Sequence, residues 1–338
     1  RISDTAARFA IDGTIQKEKS KIKVNVKLID LKTGFQIWGD THHSNFRANQ
    51  IITFQEKVAQ EVTAKIAGEF GIIPRTLAPE STGKPPAKLK TYEAILRFHE
   101  YDRTLTPESF SRALEALSHA ANFEPGCGQV WTMLGHLYAN IFSLDLPGFE
   151  KPLKKAIKFA EKGAHLNPAN QRARATLAFV SFFANELGAA LREIKKALLL
   201  NPNSIFMLDG VGYIMTLLGQ WAQGPELIRK VIATNPYYRP AVHYGLWLDW
   251  IRREDYERAY LETLPITMPS IFWDPLVKAS TLGLLGRHKE GEAFAEVLLE
   301  IKPDFPGKGR VLIAHYIKFK EIAERVIEGL NRVGLKVH

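Results

Sequence analysis

The residues able to do chemistry in this sequence are few and scattered. His42 and His43 are adjacent imidazoles, a pair that invites a metal ion. They fall in FQIWGDTHHS, a segment that reads as a strand, and neighbouring residues of a strand point to opposite faces. Without a bulge they do not chelate one ion, and no cysteine lies near to complete a site. No metal is expected there; solubility of an edge strand is the role assigned to the pair. Cys127 stands in Pro125-Gly126-Cys127-Gly128. A nucleophilic thiol needs a partner base, and the sequence names none, so Cys127 reads as a small residue in a turn. Gly307-Lys308-Gly309 lacks the strand–loop–helix setting of a phosphate loop and reads as a turn between helices. Lys151, Lys154, Lys155, Lys158 and Lys162 gather mostly on one helical side. That is the pattern of a solvated outer face and, in second place, of a surface for an acidic partner or anionic lipid. No catalytic constellation emerges, and no cofactor is expected.

The elements that must position any site follow from composition and periodicity. The 338 residues are 46% hydrophobic and 24% charged, the balance of an ordinary globular chain of about two domains. One cysteine excludes an internal disulfide. The longest nearly apolar stretch is about ten residues, Ala175 to Ala184, where a bilayer span needs about 20. The net charge is +9, and its distribution decides what it means. Residues 1–72 carry 11 basic and 8 acidic groups, residues 73–90 carry 4 and 1, and the remaining 248 carry 30 and 27. A nucleic-acid binder concentrates its charge on one face. Here the excess is densest in a short segment, so no nucleic-acid partner is expected. The chain opens at Arg1 rather than Met, so a piece of a longer protein is expected.

Residues 21–30, KIKVNVKLID, alternate strictly, with Ile22, Val24, Val26 and Leu28 on one face and Lys21, Lys23, Asn25 and Lys27 on the other. A period of two in a β-branched run predicts a half-buried antiparallel strand. Phe9, Ile11, Gly13 and Ile15 alternate upstream, and FQIWGDTHHS follows a turn closed by Gly34. Ile51, Phe54, Val58, Val62, Ile66 and Phe70 then recur at helical spacing. Three strands and one helix make a thin core, so residues 1–72 read as a small, truncated α/β domain. Residues 73–88 hold Pro74, Pro79, Pro85 and Pro86 with Gly83. Proline at that density predicts a linker with no helix.

From residue 89 to 338 the pattern is helical and repeats. Pro168, Pro202 and Pro236 lie 34 residues apart, as do Pro269 and Pro303, and Pro125 lies one period plus nine residues before Pro168. Twelve residues before these prolines stand Ala113, Ala156, Ala190, Gly224 and Gly291, and only the Pro269 unit departs, with Glu257. Small residues at a fixed offset let the two helices of a hairpin cross closely. The expected fold is therefore mainly α: an α-α superhelix of about six repeats, the fifth degenerate, closed by capping helices and preceded by the α/β piece.

These residues resemble the tetratricopeptide (TPR) family, whose first-helix signature matches Trp131-x-x-Leu134-Gly135-x-x-Tyr138 at its proper distance after Pro125. The N-terminal piece, with Ile11-Asp12-Gly13-Thr14-Ile15 and KVNVKLIDLKTGFQIW, resembles the TolB N-terminal-like (FlgO-like) domain. That domain precedes TPR arrays in bacterial class III adenylate/guanylate cyclases and in some membrane-bound winged-helix regulators. The closing EIAERVIEGLNRVGL is similar to the tail of the cyclase-associated versions. The resemblance implies a bacterial signalling module, non-catalytic in itself, in a membrane-tethered parent. Asp12, Asp30 and Asp40 are not arranged as the paired metal-binding aspartates of a cyclase core. The upstream strand and helix of the TolB-like domain are absent, with Arg1 to Arg8 read as the end of that helix, which leaves an open edge and a route to a homodimer.

A TPR superhelix presents the first helix of each repeat on its concave side. The proline register places Gln129, Thr132, His136 and Asn140 there, then Phe179, Phe182 and Phe183, then Asp209, Tyr213, Tyr238, His243, Asp249 and Trp250. Of these, Gln129, His136, Asn140, Phe179, Phe182, Tyr213, Tyr238, His243 and Trp250 are the candidate groove residues for a protein or peptide partner, since aromatic rings bury large area at low entropic cost. Arg172 and Arg174 are the nearest groups for a terminal carboxylate, without the Lys/Arg/Asn array that TPR carboxylate binders use. A stand-alone enzyme on a TPR scaffold would need a pocket of convergent titratable groups.

Overall fold

A computed structural model of the chain describes residues 7–45, 51–69, 71–82, 84–85, 88–202 and 204–338. The expectations for Arg1 to Ala6, Phe70, Gly83 and Pro86 lie outside the described residues. The first 45 residues form an antiparallel meander of β1 (Phe9–Glu18), β2 (Lys21–Asp30) and β3 (Phe35–Asn45), in the order β1-β2-β3. The period-two pattern works as read: Val26 and Leu28 are buried against Val62 and Ile66 of α1 (Ile51–Ala67). Gly34 closes the β2–β3 turn with φ +77°, a value its missing Cβ makes cheap. Among the described residues no strand pairs with the outer edge of β1, and its Ile11 and Ile15, paired with Leu28 and Val24, are exposed. His42 departs from the solubility reading. It is buried, with Nδ1 3.2 Å from Glu61 Oε2 on α1, while His43 on the opposite face is exposed.

The proline-dense segment also departs from expectation. Residues Ile72–Thr82 form a helix, α2. Pro74 falls in its first turn, where the missing N–H has no intrahelical partner to lose; Pro79 alone forfeits an interior bond. Ile72 and Ile73 pack onto the sheet–helix core, and Glu80 pairs with Arg8 (2.6 Å) and Lys32 (3.3 Å). Burial and charge outweigh the cost of one interior proline.

Six helical hairpins follow: α3 (Thr91–Thr104) with α4 (Pro107–Phe123), α5 (Gly128–Ser143) with α6 (Pro152–Leu166), α7 (Gln171–Phe183) with α8 (Leu187–Leu200), α9 (Ile205–Leu217) with α10 (Gly224–Thr234), α11 (His243–Arg252) with α12 (Tyr256–Thr263), and α13 (Trp273–Leu284) with α14 (His288–Ile301). Ala113, Ala156 and Ala190 are fully buried, and Gly224 and Gly291 are buried too. Gly135 shows why the signature needs a small residue: a Cβ there would lie 2.8 Å from the Ala160 backbone nitrogen. Trp131 is held by its indole N–H donating to the Pro125 carbonyl at 2.9 Å and by Lys162 over its ring. The fifth hairpin has the shortest helices, and its close contact is shifted: Glu257 is exposed and Ala259 is buried in its stead.

The chain ends in α15 (Phe305–Tyr316) and α16 (Lys320–Arg332). α16 covers α13, as a cap should. α15 does more, because it returns to the start of the array. The Tyr316 and Ser143 hydroxyls are 2.8 Å apart, His315 stacks on Phe142 at 4.4 Å, and Lys302 and Lys308 both reach Asp145. The superhelix thus closes on itself, with Tyr316 and Ile317 on its concave side.

Candidate ligand cavity on the concave face

Closure leaves a cavity of about 120 Å³ between the first helices of the hairpins. Its walls are mostly apolar and carry six aromatic rings: Phe179 from α7, Tyr213 from α9, Tyr244 and Trp247 from α11, Trp273 from α13 and Tyr316 from α15. Each ring has a local reason for its place. Trp247 donates to Thr281 Oγ1 at 2.8 Å, and Trp273 meets Tyr316 edge-on at 5.1 Å. Asp102, His136, Arg172 and Arg239 also line it and supply its charge.

That charge is organised as a chain of buried pairs. Arg239 Nε donates to Asp209 Oδ2 at 3.1 Å, and its Nη1 lies 3.4 Å from Asp102 Oδ2. Arg172 grips Glu69, just past α1, with two guanidinium nitrogens. The N-terminal piece is therefore fastened to the concave face by an ion pair, and Ala64 adds an apolar contact with Leu208 and Val231. Burial beside Arg239 pushes the Arg172 guanidinium down to about 9. Burial also pushes His99, on the same helix as Asp102, down to about 4, and holds His136 below the usual imidazole range.

A pH dependence follows. A histidine kept neutral in the fold but titrating near 6.5 when unfolded favours the unfolded chain as acid is added. Stability is fully present above about pH 6.5 and falls as the pH drops toward 4, by about 3 kcal/mol for His99 alone. Urea midpoints measured between pH 7 and 4.5 should fall steadily, and His99→Leu should flatten the slope. A flat wild-type profile would contradict the burial of these rings.

The nine candidate groove residues are divided by the structure. His136, Asn140, Phe179 and Tyr213 line the cavity. Asn140 is committed to the Tyr101 hydroxyl, to which its amide donates at 3.0 Å. Phe182 is fully buried, with the Lys318 ammonium 5.0 Å from its ring; three residues along α7 carry it off the concave wall. Gln129 sits in the first turn of α5, away from the cavity. Tyr238 and His243 bond to each other at 3.1 Å, and His243 Nδ1 meets Glu262 at 2.7 Å. Trp250 lies within 5.6 Å of the guanidiniums of Arg229, Arg253 and Arg258, beside buried Asp249. Asp102, Arg239, Trp247, Trp273 and Tyr316 were not singled out by register. Trp247 and Trp273 stand on first helices and could have been found by extending the register through the degenerate repeat; Tyr316 depends on ring closure.

Among the described residues no cluster of three His, Cys, Asp or Glu side chains could hold a metal ion, and no helix is long and apolar enough to cross a membrane. Asp102 and His136 are 3.8 Å apart, beyond hydrogen-bond distance, so they are not joined as an orienting pair.

The architecture is a TPR-like α-α superhelix. No known family profile and no curated protein matches the chain. Among solved structures, a human IFIT1 dimer with m7Gppp-AAAA is similar over 86% of this chain and 67% of that one, at 14% identity and a TM-score of 0.52. YrrB, described as a TPR protein with an unusual peptide-binding site, covers 57% of this chain and 95% of its own at 14% identity and a TM-score of 0.33. Pseudomonas aeruginosa PilF covers 62% and 94% at 13% identity and a TM-score of 0.38. These likenesses concern the fold.

Proposed function

We propose that the chain is a non-catalytic interaction and sensory module that receives a protein or peptide partner on the concave face of its superhelix. The observation that carries this reading is the aromatic-walled cavity, whose rings offer an anchor pocket while its ionisable groups are engaged with one another. The sequence resemblance supports setting the module in a bacterial signalling protein, as the accessory half of a class III adenylate/guanylate cyclase. On that reading residues 1–72 are part of a TolB-like domain, 73–88 join it to the repeats and 89–338 are the TPR superhelix. The winged-helix regulator is the alternative parent. The coding sequence upstream of Arg1 separates the two, and neither domain there would sink both.

The groove itself is tested by substitution. Phe179 is buried in the main core, so its change to Ala would open a cavity and cost about 3–5 kcal/mol. Phe179→Leu with Tyr213→Leu keeps most of the volume and removes the rings. This pair is expected to weaken partner binding at least about tenfold, or 1.4 kcal/mol, with helicity retained by circular dichroism. Binding that persists at wild-type strength would remove the concave face from the interaction.

A further inference from the structure

Two side chains in the wall of this cavity carry a buried polar atom that, among the described residues, has no hydrogen-bond partner: the Tyr244 hydroxyl and the Trp273 indole nitrogen. Trp273 is 6% exposed, and the two rings meet edge-on at 6.4 Å. Their neighbours in the wall are satisfied. Trp247 donates to Thr281, and the Tyr316 and Ser143 hydroxyls bond to each other. His42, Asp249 and Asp274 also have one buried atom without a hydrogen bond, but each of them holds an ion pair. Tyr244 and Trp273 have no ion pair to stand in for the missing bond. An indole N–H can only donate. Burial pushes the Tyr244 phenol well above its usual range, so its hydroxyl keeps the proton and can donate too. A buried donor without an acceptor is costly, and what would relieve it is an accepting atom.

Charge does not select the occupant. Asp102, Arg172 and Arg239 line the cavity, but Arg239 is engaged with Asp102 and Asp209, and Arg172 with Glu69. The rest of the wall is mostly apolar, and an ion buried against such a wall without a partner of its own is strongly disfavoured. Size sets the rest. An apolar protein cavity of about 150 Å³ holds benzene, and the space here is about 120 Å³. One ring and a short substituent fit; a folded peptide or a nucleotide does not.

We propose that this cavity binds a small, neutral molecule with an apolar body of about benzene size and one accepting oxygen, the oxygen offered to Tyr244 and Trp273 and the body lying among Phe179, Tyr213 and Trp247. This goes beyond the partner reading and gives the same module a small-molecule input. The chain alone suffices to test it, so the result stands apart from the fate of any protein partner.

Acetophenone, α-methylstyrene and benzoate share a phenyl ring and have equal numbers of heavy atoms. They differ in the polar group, which is a neutral acceptor, absent and charged, respectively. Calorimetric titration should rank acetophenone first, at least about tenfold tighter than α-methylstyrene, because a site that offers donors rejects the analogue without an acceptor. Benzoate should bind weakest. Tyr244→Phe with Trp273→Phe removes both donors, keeps an aromatic ring at each position and should erase the preference for the ketone. A second readout needs no ligand. Tyr244→Phe alone removes only the unpartnered hydroxyl, so its urea midpoint should equal or exceed that of the wild type. A lower midpoint would show that the hydroxyl has a partner within the fold and would overturn the proposal. Equal binding of ketone and alkene, tightest binding of benzoate, a preference that survives the double variant, or no acetophenone binding up to about 10 mM, weak even for so small a ligand, would each overturn it as well.

Discussion

Gly329→Val is expected to unfasten the C-terminal cap and to lower stability by about 3 kcal/mol, the upper end of ordinary overpacking costs. α16 crosses α13 with the two backbones in contact. A Cβ on Gly329 would overlap the Ser280 carbonyl oxygen, and one on Gly283 would overlap the Gly329 carbonyl oxygen. Two effects oppose each other here. Replacing a helical glycine by alanine gains about 1 kcal/mol of helix propensity, which would dominate on an open helix face. At this crossing the obstruction is backbone oxygen on both sides, and no rotamer change relieves it, so the helices must separate. Separation exposes Ile322, Val326 and Leu330, all buried now, and carries off α15 with its Tyr316–Ser143 contact. Chemical denaturation should show a lower midpoint for Gly329→Val and a smaller loss for Gly329→Ala. An unchanged midpoint in the valine variant would mean that the helices are farther apart than described.

Those glycines show where sequence reading stops. The 34-residue period was legible because each hairpin is built from contacts a few tens of residues apart: Gly135 against Ala160, Trp131 against Phe159. Gly283 and Gly329 are 46 positions apart and belong to no repeat offset, so nothing local marks them. Ring closure is longer-range still, since Asp145 meets Lys302 and Lys308 across nearly half the chain. The degenerate fifth hairpin was visible as Glu257, but not its remedy, a two-residue shift that buries Ala259. Proline counting misjudged residues 72–82, because Pro74 costs nothing in a first turn and because Ile72, Ile73 and Glu80 find partners on the sheet. Of the cavity, the first-helix positions His136, Asn140, Phe179 and Tyr213 could be named from register. Its charge could not. Asp102 ends α3, Arg239 precedes α11 and Glu69 follows α1, and only the folded chain brings them together.

Arg239 is the keystone of that charge, and its removal should be the most damaging single change on the concave face. Arg239→Leu leaves Asp209, 2% exposed, and Asp102, 5% exposed, without their shared cation. Breaking a buried ion pair from one side costs about 3–5 kcal/mol, mostly as the penalty of the charge left behind. Leucine restores part of the lost packing, and Arg172, 3.8 Å from Asp102, offers partial compensation there. Arg172 also attracts Asp209, but the guanidinium bonded to Asp209 is that of Arg239. Removing both charges should be milder than removing one: Arg239→Leu with Asp209→Leu is expected to recover about 2 kcal/mol of the loss, a coupling typical of residues in one network. Equilibrium unfolding of the wild type, both single variants and the double variant gives this coupling directly. Strict additivity would show that water reaches Asp209, and that the concave floor is wet. A large coupling would show a dry floor, on which Asp102, Arg172, Asp209 and Arg239 stabilise the concave face only as a complete network.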